Sequence, residues 1–354
     1  MLTIKYDINS MQEILHNFHV QFKHAIEIGE SFEIDTTYEH VREIVICGMG
    51  GSALGGNLLN SYLQSPSCKS NIKIRVNKGY GLPHNIAANS LIIISSYSGN
   101  TEETLAAMES AYDNDLSMIC LTSGGKVKKF ANSKNIPCLI IPEGFQPRCA
   151  LAYSFVGLLY ILIKSKVFSP ELSKSTIAGL TEAQELLKRV TSRYESHDFA
   201  NPAFKAANDL FRSYPVIYSA DAITDSINLR WQAQIHENAK SPAFGSYLPE
   251  MNHNEINAWF ATEPNSPRFK FIFLRDKEDH PRVKIRFDAI KEMLSEFYDV
   301  YEFYGTGNHI LARMFDLIYL GDWLSYYLAV LNKQDPISIP VINRLKEILA
   351  KHKS

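Results

Sequence analysis

ICGMGGSALGG, Ile46 to Gly56, runs an apolar strand pattern into a glycine cluster and then into an apolar helix pattern. Glycines let a backbone turn tightly and approach a ligand. The helix start behind them offers unpaired N–H groups and a positive dipole end, which suits a phosphate or pyrophosphate. On either side of this stretch, from Glu43 to Pro142, short β-branched runs alternate with longer amphipathic stretches; the runs are EIVICG, IKIRV, LIIISS, SMICLT and PCLIIP. Several lack polar alternation, as strands buried on both faces of a helix-covered parallel sheet do. The pattern predicts an α/β fold built from βαβ units. A mainly helical stretch from Leu151 to about Asn208 follows, after which strand signals return in PVIYSA, INAWF, FKFIFLRD and DVYEFYG. An apolar and aromatic helix pattern from about His309 to Leu331, a polar break at LNKQDP and a terminal helix VINRLKEILAKHK close the chain. A length of 354 residues exceeds what one core usually serves. Two α/β domains are expected, residues 1–160 and residues 161–354.

The composition narrows the partner. Lys and Arg number 36 against 38 Asp and Glu, a net charge of −2, and no long basic run occurs. A dedicated nucleic-acid or membrane-surface binder is therefore not expected. The longest apolar run, Leu151 to Ile163, contains Tyr153, Ser154 and Tyr160 and falls short of the ~20 residues of a membrane span. The opening MLTIKYDINS has no basic segment followed by an apolar one, so no signal peptide is expected. Cys47, Cys68, Cys120, Cys138 and Cys149 are scattered, without disulfide or metal-ligand spacing. These features predict reduced thiols, a cytoplasmic location and a small-molecule partner.

A second loop sharpens the ligand. SSYSGNTEET, Ser95 to Thr104, follows the strand LIII and precedes the helical AAMESAY. Ser96, Ser98, Thr101 and Thr104, with Gly99 at the turn, form a dense set of donors at the positive end of a helix, which suits a phosphomonoester. A plainer reading has Asn100 capping the helix and Glu103 closing a capping box. Gly48, Gly50 and Ala53 also fit the dinucleotide fingerprint, but the position expected to hold an acid carries Asn77 and Lys78, which leaves only an NADP variant. No Gly-Lys-Ser/Thr ending occurs, so a nucleoside triphosphate is disfavoured and a sugar phosphate favoured.

CGMGGSALGG together with SYSGNTEET resembles the N-terminal half of a sugar isomerase (SIS) domain protein. EGFQPRCAL, HENAKSP and NHNEINAW are similar to segments of the bifunctional phosphoglucose/phosphomannose isomerase family, and the likeness runs in order to the terminal LKEIL. The resemblance implies two SIS-type domains, each a mainly parallel sheet flanked by helices. It also implies interconversion of glucose 6-phosphate and mannose 6-phosphate with fructose 6-phosphate through a cis-enediolate, with no cofactor and no metal. On this likeness Gly51, Ser52, Ser96, Ser98 and Thr101 cradle the phosphate, Arg148 faces the reacting carbons, Glu237 is the base, His253 acts in ring opening and Lys346 lies near the sugar. It further implies a homodimer in which His253 reaches the neighbouring chain's site. The chain departs from the family pattern between Ile337 and Asn343, where a threonine is expected and only Ser338 carries a hydroxyl.

The chemistry is within reach of these residue types. One carboxylate can carry a proton between C2 and C1. A guanidinium can stabilise the developing oxyanion without losing a proton of its own. Histidine titrates near neutrality, as ring opening asks. Without the family likeness, Glu237 reads as a solvated helix residue and Arg148 as a surface charge. His253 reads as a loop histidine beside a capping box of Asn252 and Glu255, Lys346 as part of a basic face with Arg344, Lys351 and Lys353, and His236 as structural. Two other functions stay open here: a non-catalytic SIS-type sugar-phosphate binding protein and an NADP-dependent reductase. The first normally carries a DNA-binding helix-turn-helix, for which the residues ahead of the first strand are too few and too poor in base. A glutamine-dependent amidotransferase is set aside because Leu2, not cysteine, follows Met1.

Overall fold

The computed structural model of the chain describes residues 5–68, 70–261 and 268–351, and within them two separate parallel sheets. Met1, Leu2, His352 and Lys353, read above, lie outside these ranges. In the first sheet β1 (Glu43–Cys47), β2 (Lys73–Asn77), β3 (Leu91–Ser96), β4 (Ser117–Thr122) and β5 (Cys138–Ile140) take the order β2-β1-β3-β4-β5, every pair parallel. All six residues of β3 are buried, as its unbroken apolar run requires. Successive side chains go to opposite faces. Ile44, Ile46, Leu91 and Ile93 join the main core with Leu54 and Leu58 of the Gly50–Gln64 helix. Val45, Cys47, Ile92 and Ile94 meet Ala107, Met108 and Ala111 of the Glu102–Asp113 helix on the other face. All five cysteines are free, and Cys120 stands opposite Cys138 across β4 and β5.

The second sheet repeats the plan. β6 (Tyr214–Ala220), β7 (Phe244–Leu248), β8 (Phe269–Arg275) and β9 (Val300–Tyr304) take the order β7-β6-β8-β9, again all parallel. Ile217, Ile272 and Leu274 face the main core, while Val216, Tyr218, Phe271 and Phe273 pack on Phe287, Ile290 and Leu294 of the Pro281–Ser295 helix. The chain is thus α/β with two helix-flanked parallel sheets of the SIS type.

Between the sheets lies one continuous core. The stretch read as helical resolves into Leu151–Lys164, Pro170–Glu195 and Pro202–Leu210. Residue 160 lies inside the first of these, which packs on the first sheet: a Cβ placed on Gly157 would be 3.0 Å from Leu121. The Ile310–Leu331 helix is buried at every position from Ile310 to Val330, and its charged Arg313, Asp316 and Asp322 are each hydrogen-bonded. Its backbone comes close to the Asp225–Ala239 helix because residue 321 has no side chain; a Cβ on Gly321 would fall 2.2 Å from the Trp231 indole nitrogen. Among the described residues, no helix is long and apolar enough to cross a membrane.

Two expectations need correction. INAWF is not a strand: it lies within the Ile256–Ala261 helix, where Ile256, Trp259 and Phe260 follow helical spacing and the Trp259 ring meets Phe271 edge-on at 5.0 Å. The strand missing from the sequence reading is β7, FGSYL, an edge strand whose Gly245 and exposed Phe244 weaken the usual signal.

Candidate active site

The helices after β1 and β3 leave toward opposite faces of the first sheet, which opens a crevice at the carboxyl ends of these two neighbouring strands. Both loops singled out in the sequence lie there. The Ser52 hydroxyl accepts from the Tyr97 N–H at 3.2 Å, tying the glycine loop to the hydroxyl loop. Ser96 donates to the Thr101 hydroxyl at 3.3 Å, and the exposed Ser98 accepts from the Asn100 N–H at 3.2 Å. Gly99 makes the turn with φ 65°, and a Cβ there would sit 1.9 Å from the Gly124 carbonyl oxygen.

The Asn100–Glu103 capping box does not form. Thr101 is the N-cap of the Glu102–Asp113 helix, with no side-chain capping bond, and Asn100 instead accepts from the Lys126 N–H at 3.2 Å. The first-turn amides therefore face the crevice free of a capping side chain, beside the hydroxyls of Ser96, Ser98 and Thr101. Thr104 belongs elsewhere, buried within the helix with its hydroxyl unpartnered.

Arg148 joins this crevice to the second half of the chain. Its turn, Pro147–Cys149, rests on the glycine loop so closely that a Cβ on Gly51 would be 2.8 Å from the Pro147 carbonyl oxygen. The side chain is buried rather than solvated: Nε donates to Asn238 Oδ1 at 2.8 Å, and Nη2 donates to the carbonyls of Pro336 and Ile337 at 2.8 and 2.9 Å. Nη1 faces Glu237 Oε2 at 3.3 Å, with 5% of the arginine side chain and 31% of the glutamate side chain exposed. One edge of the carboxylate meets the cation and the rest is open to a ligand.

Glu237 sits near the end of the Asp225–Ala239 helix, which carries Arg230, Gln234 and Asn238 at four-residue spacing. All three meet the Ile310–Leu331 helix: Arg230 pairs with Asp322 through bonds of 3.0 and 2.7 Å, Gln234 donates to the same carboxylate at 3.0 Å, and Asn238 donates to Ser325 at 2.9 Å. Arg230 also donates to the Arg148 carbonyl at 3.1 Å. Beyond the helix, Lys240 donates to the carbonyls of Asn238 and Asp335. Protein packed around its ammonium, and then the neighbouring Arg148, lower its pKa to about 8, while Asp335 and Glu237 pull it upward.

The described residues thus bring Gly51, Ser52, Ser96, Ser98, Thr101, Arg148 and Glu237 into one contiguous region. They do not bring His253 or Lys346 to it. His253 is exposed at the end of the Glu250–His253 turn, and its ring has no hydrogen-bond partner among the described residues. Its neighbours are tied down: Arg286 donates to Asn252 at 3.2 Å, Asn254 to Glu250 at 3.1 Å, and the Tyr218 hydroxyl to Glu255 at 2.7 Å. Asn252 and Glu255 therefore form no capping box. Lys346 is exposed on the Pro340–Lys351 helix, and Ser338 is exposed ahead of it. His236 is structural, its ring bound to the backbone of Ala243. No group of three or more His, Cys, Asp or Glu able to hold a metal occurs among the described residues.

Residues 199–349 match the family model for the bacterial phospho-glucose isomerase C-terminal SIS domain. The bifunctional phosphoglucose/phosphomannose isomerase of Caldicellulosiruptor bescii is 39% identical over 346 residues, 97% of this chain and 100% of that protein. The protein of the same name from Aquifex aeolicus is 37% identical over 87% of this chain and 91% of its own length. In structure the chain is similar to a putative phosphosugar isomerase from Clostridium difficile, with a TM-score of 0.71 at 15% identity, covering 93% of this chain and 95% of the other.

Replacing Asp322 with alanine leaves the Arg230 cation buried without its counter-charge, a loss of about 3–5 kcal/mol. Urea unfolding of Asp322→Ala should show a lower midpoint with an unchanged slope. A native midpoint would remove this pair from the supports of the site.

Proposed function

Because the chain belongs to the bifunctional phosphoglucose/phosphomannose isomerase family, we propose that Glu237 transfers the proton, with Arg148 stabilising the developing charge, on a hexose whose phosphate is anchored in the crevice beyond β1 and β3. The protein is a glucose-6-phosphate and mannose-6-phosphate isomerase, interconverting these aldoses with their common ketose, fructose 6-phosphate. That activity sets aside the sensor and reductase alternatives. Residues 1–160 supply the phosphate loops and residues 161–354 the base.

The observation that carries the residue roles is the 3.3 Å approach of Glu237 to Arg148 on a turn packed against the glycine loop. Gly51, Ser52, Ser96, Ser98 and Thr101 hold the phosphate through amide and hydroxyl donors, which fixes the distance from phosphate to C1 and C2. The open edge of the Glu237 carboxylate takes the proton from C2 of the aldose and returns it to C1, through a cis-enediolate. Arg148 Nη1 lies beside the oxygens on which charge develops, and a guanidinium stabilises them without giving up a proton. Ring opening needs a group that protonates O5. In this proposal the exposed His253 supplies it to a second copy of the chain, so the working unit is a homodimer with shared sites. Lys346, exposed on the Pro340–Lys351 helix, is in this proposal the lysine near the sugar.

Ser98→Ala and Thr101→Val should chiefly raise KM for each hexose 6-phosphate, because a phosphate remote from the reacting carbons binds alike in ground and transition states. Steady-state kinetics check this; an unchanged KM in both variants moves the phosphate elsewhere.

Glu237→Gln should fold normally and lose at least ~100-fold in turnover, together with solvent hydrogen exchange at C2. Near-native exchange in deuterated water would strip Glu237 of its role.

Mixing inactive Glu237→Gln and His253→Ala proteins under subunit exchange should restore activity, since one site of each hybrid then holds both intact residues. Mass spectrometry verifies that hybrids have formed. Verified hybrids that stay inactive would put both residues in one chain.

A further inference from the structure

Arg148 has five N–H donors in one rigid plane, and their partners divide unevenly. Nε is spent on Asn238 Oδ1, and Nη2 on the two carbonyls of Pro336 and Ile337. Only Nη1 is left, and it lies on the Glu237 side. A planar fork held by three bonds along one edge cannot turn about its own axis, so the direction of Nη1 follows from those three acceptors.

Two of the acceptors are main-chain carbonyls, kept in place by Lys240, which takes the preceding carbonyl of Asp335, and by the Asp335 carboxylate, which accepts from the Ile337 N–H at 3.0 Å. The third is a side chain. Asn238 is fully buried, with 0% exposure, and both ends of its amide are committed: Oδ1 to Arg148, Nδ2 to Ser325 at 2.9 Å. Ser325 in turn donates to the Asp322 carbonyl at 2.7 Å. The amide therefore has one orientation, with its oxygen toward the guanidinium, and it follows Glu237 directly in the chain.

We propose that Asn238 is a positioning residue for the isomerase reaction: its amide, locked by Ser325, turns the Arg148 guanidinium so that Nη1 alone meets the reacting oxygens beside Glu237. This rests on the assignment of Arg148 and Glu237 to the chemistry. Asn238 does not touch the sugar in this arrangement. Losing it loosens the stabilising cation in the transition state and leaves the phosphate donors untouched, so the effect falls on kcat and spares KM.

The test compares Asn238→Leu, which removes both amide bonds at similar size, with Asn238→Asp, which keeps an oxygen for Nε–H, using glucose 6-phosphate. For Asn238→Leu we expect kcat about 10- to 100-fold lower with KM within about threefold of native. Asn238→Asp should recover kcat to within about threefold of native. A native kcat in Asn238→Leu, a loss confined to KM, or an Asn238→Asp protein as slow as Asn238→Leu each overturns the proposal. Should Asn238→Leu fail to fold, Ser325→Ala decides, because it frees the amide to rotate: a lowered kcat at unchanged KM supports the lock and a native kcat overturns it. Arg148→Met is assayed alongside. If it keeps native turnover, the assignment of Arg148 has failed; if it is inactive while Asn238→Leu is native, only the positioning role falls.

Discussion

The site depends on a buried ion pair. Arg230 and Asp322, each with 3% of its side chain exposed, join two helices that approach closely at Gly321. Burying both charges costs most of what their attraction returns, so the pair's value lies in fixing register rather than in raw stability. Burial alone drives the Asp322 carboxyl upward, and Arg230 and Gln234 oppose it. Slipping one helix by a turn would detach both partners and leave two charges uncompensated. Glu237 lies seven residues beyond Arg230, two turns along nearly the same side of the helix, about 10 Å away. Arg230 also holds the Arg148 carbonyl, so one guanidinium sets the height of Glu237 and anchors the turn that carries Arg148.

The same doubly wound plan occurs twice, but its two crevices are filled differently. At the carboxyl ends of β1 and β3 the loops bring hydroxyls and free first-turn amides. At the corresponding ends of β6 and β8, the Thr224 hydroxyl ties the loop after β6 to the Leu274 carbonyl at 3.3 Å, and Arg313 is clamped by Asp276 and Glu278. Asp279 adds a further buried carboxyl there, raised to about 6 chiefly by burial. Neutral donors welcome a phosphate, whereas a crevice already holding three acidic side chains does not. In the proposed function the first crevice takes the ligand, and the second half of the chain contributes the Asp225–Ala239 helix that carries Glu237.

The sequence made legible what depends on local pattern. Unbroken runs such as LIIISS identified strands of the first sheet, and the glycine and hydroxyl clusters behind β1 and β3 pointed to two loops that the fold brings together. β7 escaped because a short edge strand with a glycine at its second position carries little signal, and INAWF misled because a short aromatic run satisfies helical and strand spacing alike. The roles proposed for Glu237 and Arg148 came from family likeness, since nothing local links two residues 89 positions apart. Arg230, Gln234 and Asn238 recur at four-residue spacing, but that stripe gains a meaning only from Asp322, whose place against it only the fold supplies. Asn100 and Glu103 matched a capping box by type and spacing; the loop's own demand for a turn at Gly99 overrode it.

An arginine at position 148 meets a requirement that a lysine cannot. In the proposed reaction the cation has to be immobile enough to aim at a developing charge and still have a donor to spare. A lysine ammonium offers three donors around one rotating bond, so fixing its direction consumes the donors that would serve the substrate. The guanidinium separates these tasks by geometry: Nε and Nη2 are held by Asn238, Pro336 and Ile337, and Nη1 is presented. The holding groups come from two distant parts of the chain, the end of the Asp225–Ala239 helix and the crossing into the terminal helix. The guanidinium therefore acquires its direction only when the C-terminal half has folded against the turn that bears it. Arg148 and Glu237 meet through that same packing, which ties their relative placement to the Asp225–Ala239 helix and to the Pro336–Ile337 carbonyls together.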